Sequence, residues 1–216
     1  MPGMELYMKH FLVVMAVFVL VCCGSASAKE GSDAVSGASG AGESAKQTAS
    51  SFEPVKTDKR ILIAFFSQGS NTKRIAEELE SLLGADIERI VEKKNRKGFF
   101  GFLSAGADAT MGRIGKIETP SRDPSAYDIV IVCTPVWAGK VTPAVRAYLT
   151  LMRERLPEVA CVVVAGVSAP QGVVKSMEGI AGKAALGYAG FVEEDFSTKN
   201  RARYDEKILE FLKLFR

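Results

Sequence analysis

The only histidine of the 216-residue chain is His10, so the body of the sequence has no Ser-His-Asp triad, no Cys-His pair and no histidine-ligated metal site. Chemistry there falls to carboxylates, Lys, Tyr, Cys or a bound cofactor, and a cofactor carries the hard chemistry itself. Two stretches have the residue types to hold one. Ser67-Gln68-Gly69-Ser70-Asn71-Thr72 lies between an apolar run and a helical pattern. A helix N-terminus offers unpaired N–H groups and the positive end of its dipole, which together suit phosphate. Short hydroxyl and amide side chains can add hydrogen bonds, and Gly69 lets backbone come close. The same residues also read as an ordinary strand–turn–helix junction with a good cap. The spacing is neither that of a nucleotide P-loop nor that of a dinucleotide fingerprint.

The second stretch is Thr134-Pro135-Val136-Trp137-Ala138-Gly139, followed by Lys140-Val141-Thr142. Trp137 is the only tryptophan and falls outside any periodic apolar face. It reads either as a platform for a flat ring or as a plug at the end of a core. Taken together, a phosphate loop and an aromatic loop describe a site for a phosphorylated flat heterocycle. A third loop, Val167-Ser168-Ala169-Pro170-Gln171-Gly172, follows another apolar run.

These loops need elements to position them. Continuous apolar runs at 60–66, 128–134 and 159–167 read as strands buried on both faces. Weaker strands are expected near 87–91 and 187–192. Helices are expected at 72–83, stopped by Gly84, and from Pro143, with Val145, Tyr148, Leu149 and Met152 inward. A short helix is expected over about 172–184. A last helix, capped by Ser197 or Thr198, would turn Tyr204, Ile208, Phe211 and Leu212 inward. Strands alternating with helices imply a parallel α/β sheet covered on both sides. Either a doubly wound order 2-1-3-4-5 or half of a dinucleotide-binding fold fits. In both, ligands bind beyond the carboxyl ends of the strands, where the three loops lie. Phe99-Phe100-Gly101-Phe102-Leu103 reads as a packed crossover helix or as a lid or partner-docking patch.

Ahead of this domain, residues 1–28 read as a signal peptide or lipoprotein signal. The apolar run Phe11–Cys23 has the length of a signal hydrophobic region, and Ala26-Ser27-Ala28 offers small residues for cleavage. Leu20-Val21-Cys22-Cys23 resembles a lipobox, making Cys22 and Cys23 candidates for lipidation; an uncleaved anchor is the other reading. Residues 29–58 are polar and without period, a flexible linker spanning roughly 30 Å root-mean-square. The leader predicts an exported, periplasmic or membrane-tethered protein. The net charge of +3 gives no argument for nucleic acid. Cys133 and Cys161 read as small buried hydrophobes, Cys133 late in its strand and Cys161 early in its own, too far apart to bridge.

FFSQGSNT, YDIVIVCTPVWAG and TPAVRAYL resemble the flavodoxin family, in particular its short-chain, quinone-reductase-like relatives, over 61–216. The resemblance implies a flavodoxin-like, doubly wound, five-stranded parallel sheet of order 2-1-3-4-5. It implies FMN held by Ser67, Gln68, Gly69, Ser70, Asn71 and Thr72 at the phosphate. At the ring it implies Thr134, Pro135, Val136, Trp137, Ala138 and Gly139, with Val167, Ser168 and Ala169 as a further contact. Gly69 stands where the family has a hydroxyl residue and Ser70 where it has glycine. The implied function is electron transfer with a redox partner protein or a small-molecule donor or acceptor, NAD(P)H or quinone among them. The competing expectation is an exported module that kept the fold, lost FMN and binds protein. The three loops contain no Asp or Glu, and Lys140 lies in the second. This predicts a hydroquinone potential less depressed than in acidic flavodoxins. A phosphoacceptor receiver is excluded because no acidic cluster follows the first strand.

Overall fold

The computed structural model describes residues 52–94, 98–166 and 171–216. The leader, the linker to residue 51, Cys22, Cys23, Val167, Ser168 and Ala169 lie outside the described residues.

Strand β1 (Ile61–Phe65) is buried at every position, as its unbroken apolar sequence requires. Ile61, Ile63 and Phe65 enter one core, Leu62 and Ala64 the other. Strands β3 (Ile129–Trp137) and β5 (Glu158–Ala165) alternate in the same way. On one side the sheet is covered by helices α1 (Asn71–Leu83) and α5 (Arg201–Leu212), through Ile75, Leu79, Tyr204, Ile208 and Phe211. On the other it meets α3 (Pro143–Met152) and α4 (Gln171–Ala181), through Val145, Tyr148, Leu149, Val174 and Met177. Each face inserts apolar side chains of one period, 3.6 for helices and 2 for strands, so neither layer leaves its apolar side in water.

With β2 (Asp86–Arg89), β4 (Lys140–Val141) and β6 (Ala185–Val192), the strand order is β2-β1-β3-β5-β6, and β4 pairs off the path with β3. Every pair on the path is parallel. Counted without β4, this is the expected 2-1-3-4-5, and the fold is flavodoxin-like. The switch point lies between β1 and β3, because the chain leaves β1 for β2 on one side and returns to β3 on the other.

The structure changes three expectations. The stretch after Thr134 is not an open loop. Strand β3 continues through Trp137 and turns back into β4, pairing Val136 with Val141 and Trp137 with Lys140. Ala138 (φ 47°) and Gly139 (φ 71°) both take positive φ, the conformation a two-residue hairpin of type I′ needs. The last helix begins at Arg201 with Asn200 before it. Ser197 is engaged elsewhere, its hydroxyl closing the preceding turn on the Glu194 carbonyl at 2.8 Å. Cys133 and Cys161 are free and buried, but sequence position along the strands does not separate them. The register pairs Val132 with Cys161 and Cys133 with Val162, so the two cysteines are near neighbours in height. They point to opposite faces, Cys133 into the α1/α5 core and Cys161 into the α3/α4 core, and the sheet stands between them.

The crossover between β2 and β3 carries α2 (Gly98–Thr110), whose backbone includes Phe99–Leu103 and which packs against β3, β4 and α3. This is the crossover-helix reading of that segment. The chain then runs back along the extension of β2, with Lys93 N donating to Lys116 O at 2.8 Å and Glu118 N to Val91 O at 2.9 Å. Gly115 N donates to Pro143 O at 2.9 Å, and a Cβ on Gly115 would stand 2.9 Å from the Pro143 carbonyl. No helix among the described residues is long and apolar enough to cross a membrane.

Candidate functional site

A cleft of about 270 Å³ opens at the carboxyl end of the sheet, beside the switch point. Its floor and walls come from the β1–α1 loop (residues 67–72), from Pro135, Val136 and Trp137 at the end of β3, from Val164–Gly166 at the end of β5, and from Glu193. The three strand ends that the sequence singles out therefore converge. Of the third loop, only its first residues are described, up to Gly166.

The β1–α1 loop is shaped from inside. Ser67 is buried and its hydroxyl donates to Gly69 O at 2.7 Å, which folds the turn. Thr72 is buried too, whereas Gln68, Gly69 and Ser70 are exposed. Ser70 stands at the N-cap of α1 with no side-chain capping bond, and no acidic residue occupies the first turn. A Cβ on Gly69 would meet nothing within 4 Å, so the loop has open space above it. The helix thus presents its N-terminal amides and dipole to the cleft without a carboxylate competing for them.

The ring side of the cleft is equally specific. Trp137 is half-buried and meets Phe66 edge to face, centroids 5.5 Å apart and planes at 75°. Trp137 packs against the end of the α3/α4 core and also lines the cleft. Thr134 sits lower, fully buried, with its hydroxyl donating to Pro135 O at 2.9 Å and shared with Thr142 Oγ1 at 3.2 Å. It props the hairpin from below. Ala138 and Gly139 form the hairpin turn itself and do not line the cleft.

Two residues absent from the sequence-based set belong to this region. Arg89 ends β2, and one guanidinium nitrogen donates to Ser67 O at 3.2 Å. A cation therefore stands at the phosphate loop. Glu193 follows β6 and reaches the rim. It is placed by Asp195, whose buried carboxylate accepts from Val192 N at 2.8 Å and Lys207 Nζ at 2.7 Å and pairs with Arg203. The three loops themselves lack acids, but the assembled cleft contains one. Nothing in the local sequence marks either residue; the parallel order of the strands brings them in.

The described residues fit a phosphorylated flavin. They supply an uncapped helix N-terminus for a phosphate, a guanidinium beside it, and an indole at the strand end where a ring would lie. No protein-family model and no curated protein matches the chain. Solved structures match its fold. A flavoprotein from Lactobacillus acidophilus NCFM, in complex with FMN, superposes with a TM-score of 0.55 at 20% identity, over 63% of this chain and 95% of that one. The apo-form of the Lactobacillus protein gives 0.52 at 21%, over 64% and 96%. A protein described as a flavoprotein from Bacteroides eggerthii DSM 20697 gives 0.57 at 16%, over 73% and 98%. At these identities the likeness is one of fold.

Proposed function

We propose that this domain binds FMN in the strand-end cleft and serves electron transfer. The observation that carries the reading is the convergence of an open, acid-free helix N-terminus with Trp137 across one cleft. The amides at the start of α1 and the Arg89 guanidinium would hold the phosphate. Pro135, Val136 and Trp137 would flank the ring on one side and Val164–Gly166 on another, keeping water from it. FMN supplies the electron chemistry when bound. The protein's part is to fix the ring at the rim, within reach of a donor or acceptor, and to set the charge around it. Solved relatives of the fold include an FMN complex, which supports this choice of ligand. Export and a membrane tether through residues 1–58 belong to the same proposal, on the strength of the leader alone.

The test is direct. The purified full chain should be yellow, or turn yellow on adding FMN, with a flavin absorbance band and quenched flavin fluorescence. A colourless protein that takes up no FMN defeats the reading and favours the protein-binding module.

A further inference from the structure

A concentration of positive charge lies beside the cleft. Lys93, Lys94, Arg113 and Lys116 surround a concavity of about 360 Å³ that also includes Glu92, Asp108, Ile114 and Pro143. Asp108 is buried and pairs with Lys94 at 2.8 Å and Arg113 at 3.1 Å. Lys93 and Lys116 are exposed and have no ion pair among the described residues. Four cations against two acids leave a surplus of two in this lining.

The patch also carries apolar side chains in water. Met111 is 67% exposed and Ile114 59% exposed. Large exposed apolar groups close to charged ones suit a protein-docking surface, where Met and Arg are enriched at the contact. The patch is joined through the backbone to the hairpin that walls the cleft. The Gly115–Pro143 hydrogen bond joins it to the first residue of α3, and Pro143 lies two residues beyond Val141, the partner of Val136 in the hairpin. At about 3.3 Å per extended residue, Trp137 is within roughly 15–20 Å along the chain. A protein docked on this patch would bring its own redox centre toward the rim.

We infer that the surface formed by Lys93, Lys94, Arg113 and Lys116 around Met111 and Ile114 docks the acidic face of the redox protein that exchanges electrons with the domain. This rests on the FMN reading for the exchange of electrons but not for the docking. Each encounter moves one electron between the partner's redox centre and the bound flavin, and protons come from solvent. An anionic membrane is the other surface that positive charge could meet. The concave shape fits a protein better than the flat interface of a bilayer.

The probe is an acidic plant-type ferredoxin, titrated into the full chain without added flavin, with basic cytochrome c as the control of opposite sign. Ferredoxin should bind at low salt and weaken roughly tenfold or more as the salt rises to a Debye length of about 8 Å. The double variant Lys93→Glu/Lys116→Glu should weaken it by roughly tenfold or more at low salt, with an unchanged thermal midpoint and FMN affinity. Lys199→Glu, a charge change outside the patch, should leave binding as it was, and cytochrome c should not bind. Equal ferredoxin affinity for the chain and the double variant, no ferredoxin binding, or binding only to phosphatidylglycerol vesicles and not to ferredoxin overturns the inference. Failure of the FMN reading would show separately, as a colourless protein that still binds ferredoxin.

Discussion

Phe66 and Trp137 meet edge to face, 5.5 Å between centroids and 75° between planes, across the join of β1 and β3. Phe66 is buried, so it fixes the indole from the core side while Trp137 lines the cleft on the other. Replacing Trp137 by Ala should weaken FMN binding by about 1–3 kcal/mol, taking base–aromatic stacking as the guide. Flavin fluorescence titration reads this as a Kd raised roughly 5- to 150-fold. An unchanged Kd would remove Trp137 from the site.

Arg89 predicts a difference between two ligands. Its guanidinium donates to Ser67 O, in the loop proposed to hold the phosphate. Arg89→Ala should weaken FMN by roughly tenfold, the size of one charge-assisted hydrogen bond, and leave riboflavin, which has no phosphate, unaffected. Equal losses for both ligands would mean that Arg89 only supports the loop.

Glu193 bears on the potential rather than the affinity. An exposed carboxylate about 6 Å from a ring acts through a dielectric close to that of water, which corresponds to about 30 mV for one electron. Glu193→Gln should raise the potential of the last reduction step by that order, as spectroelectrochemistry would record. A fall in potential would contradict the sign of the charge effect.

Cys133 and Cys161 should be inert in the folded protein. Burial raises the Cys133 thiol pKa well above its usual value, with Cys161 adding to it, and burial pushes the Cys161 thiol up to about 12. Neither is a thiolate near neutral pH, and the thiolate is the nucleophile. Alkylation at pH 8 followed by peptide mass spectrometry should find both unmodified until denaturant is added. Modification of either in the native protein would show that the core opens.

Asp195 ties stability to acid. Burial pushes its pKa up, but the bonds from Lys207, Val192 and Arg203 outweigh this and hold it below the ordinary carboxylate value. A lowered folded-state pKa stabilises the fold above the unfolded value near 3.9, and the contribution is lost as pH falls through the folded value. The thermal midpoint should therefore drop as pH is lowered below about 4. Asp195→Asn should flatten that dependence and cost about 2–4 kcal/mol at neutral pH, since it leaves Lys207 without its anion and Arg203 with only the exposed Glu194 at 3.7 Å.

Strands buried on both faces announce themselves as unbroken apolar runs, and β1, β3 and β5 were legible for that reason. The buried faces of α3 and α5 followed from helical period in the same way. The hairpin after Thr134 was hidden. Pro135 interrupts the strand signal, and Ala138 occupies a positive-φ position where glycine or asparagine would have marked a turn. Of the candidate site, the residues contiguous with strand ends could be found, because a parallel sheet collects its ligands there. Arg89 and Glu193 could not. Arg89 reaches Ser67 from one edge of the sheet and Glu193 reaches the cleft from the other, and only the spatial order of the strands brings them there.

The hydrogen bond from Gly115 to Pro143 has a bearing on how the chain assembles. The crossover from β2 to β3 is the longest connection in the domain, and Gly115 within it seats on the first residue of α3. That seat does not exist until β3 has paired with β1 and the hairpin has turned. Closing so long a loop costs chain entropy before its contacts repay it. The crossover is therefore expected to dock late, onto a sheet already formed. A side chain at position 115 would slow that last step even before it strained the finished fold.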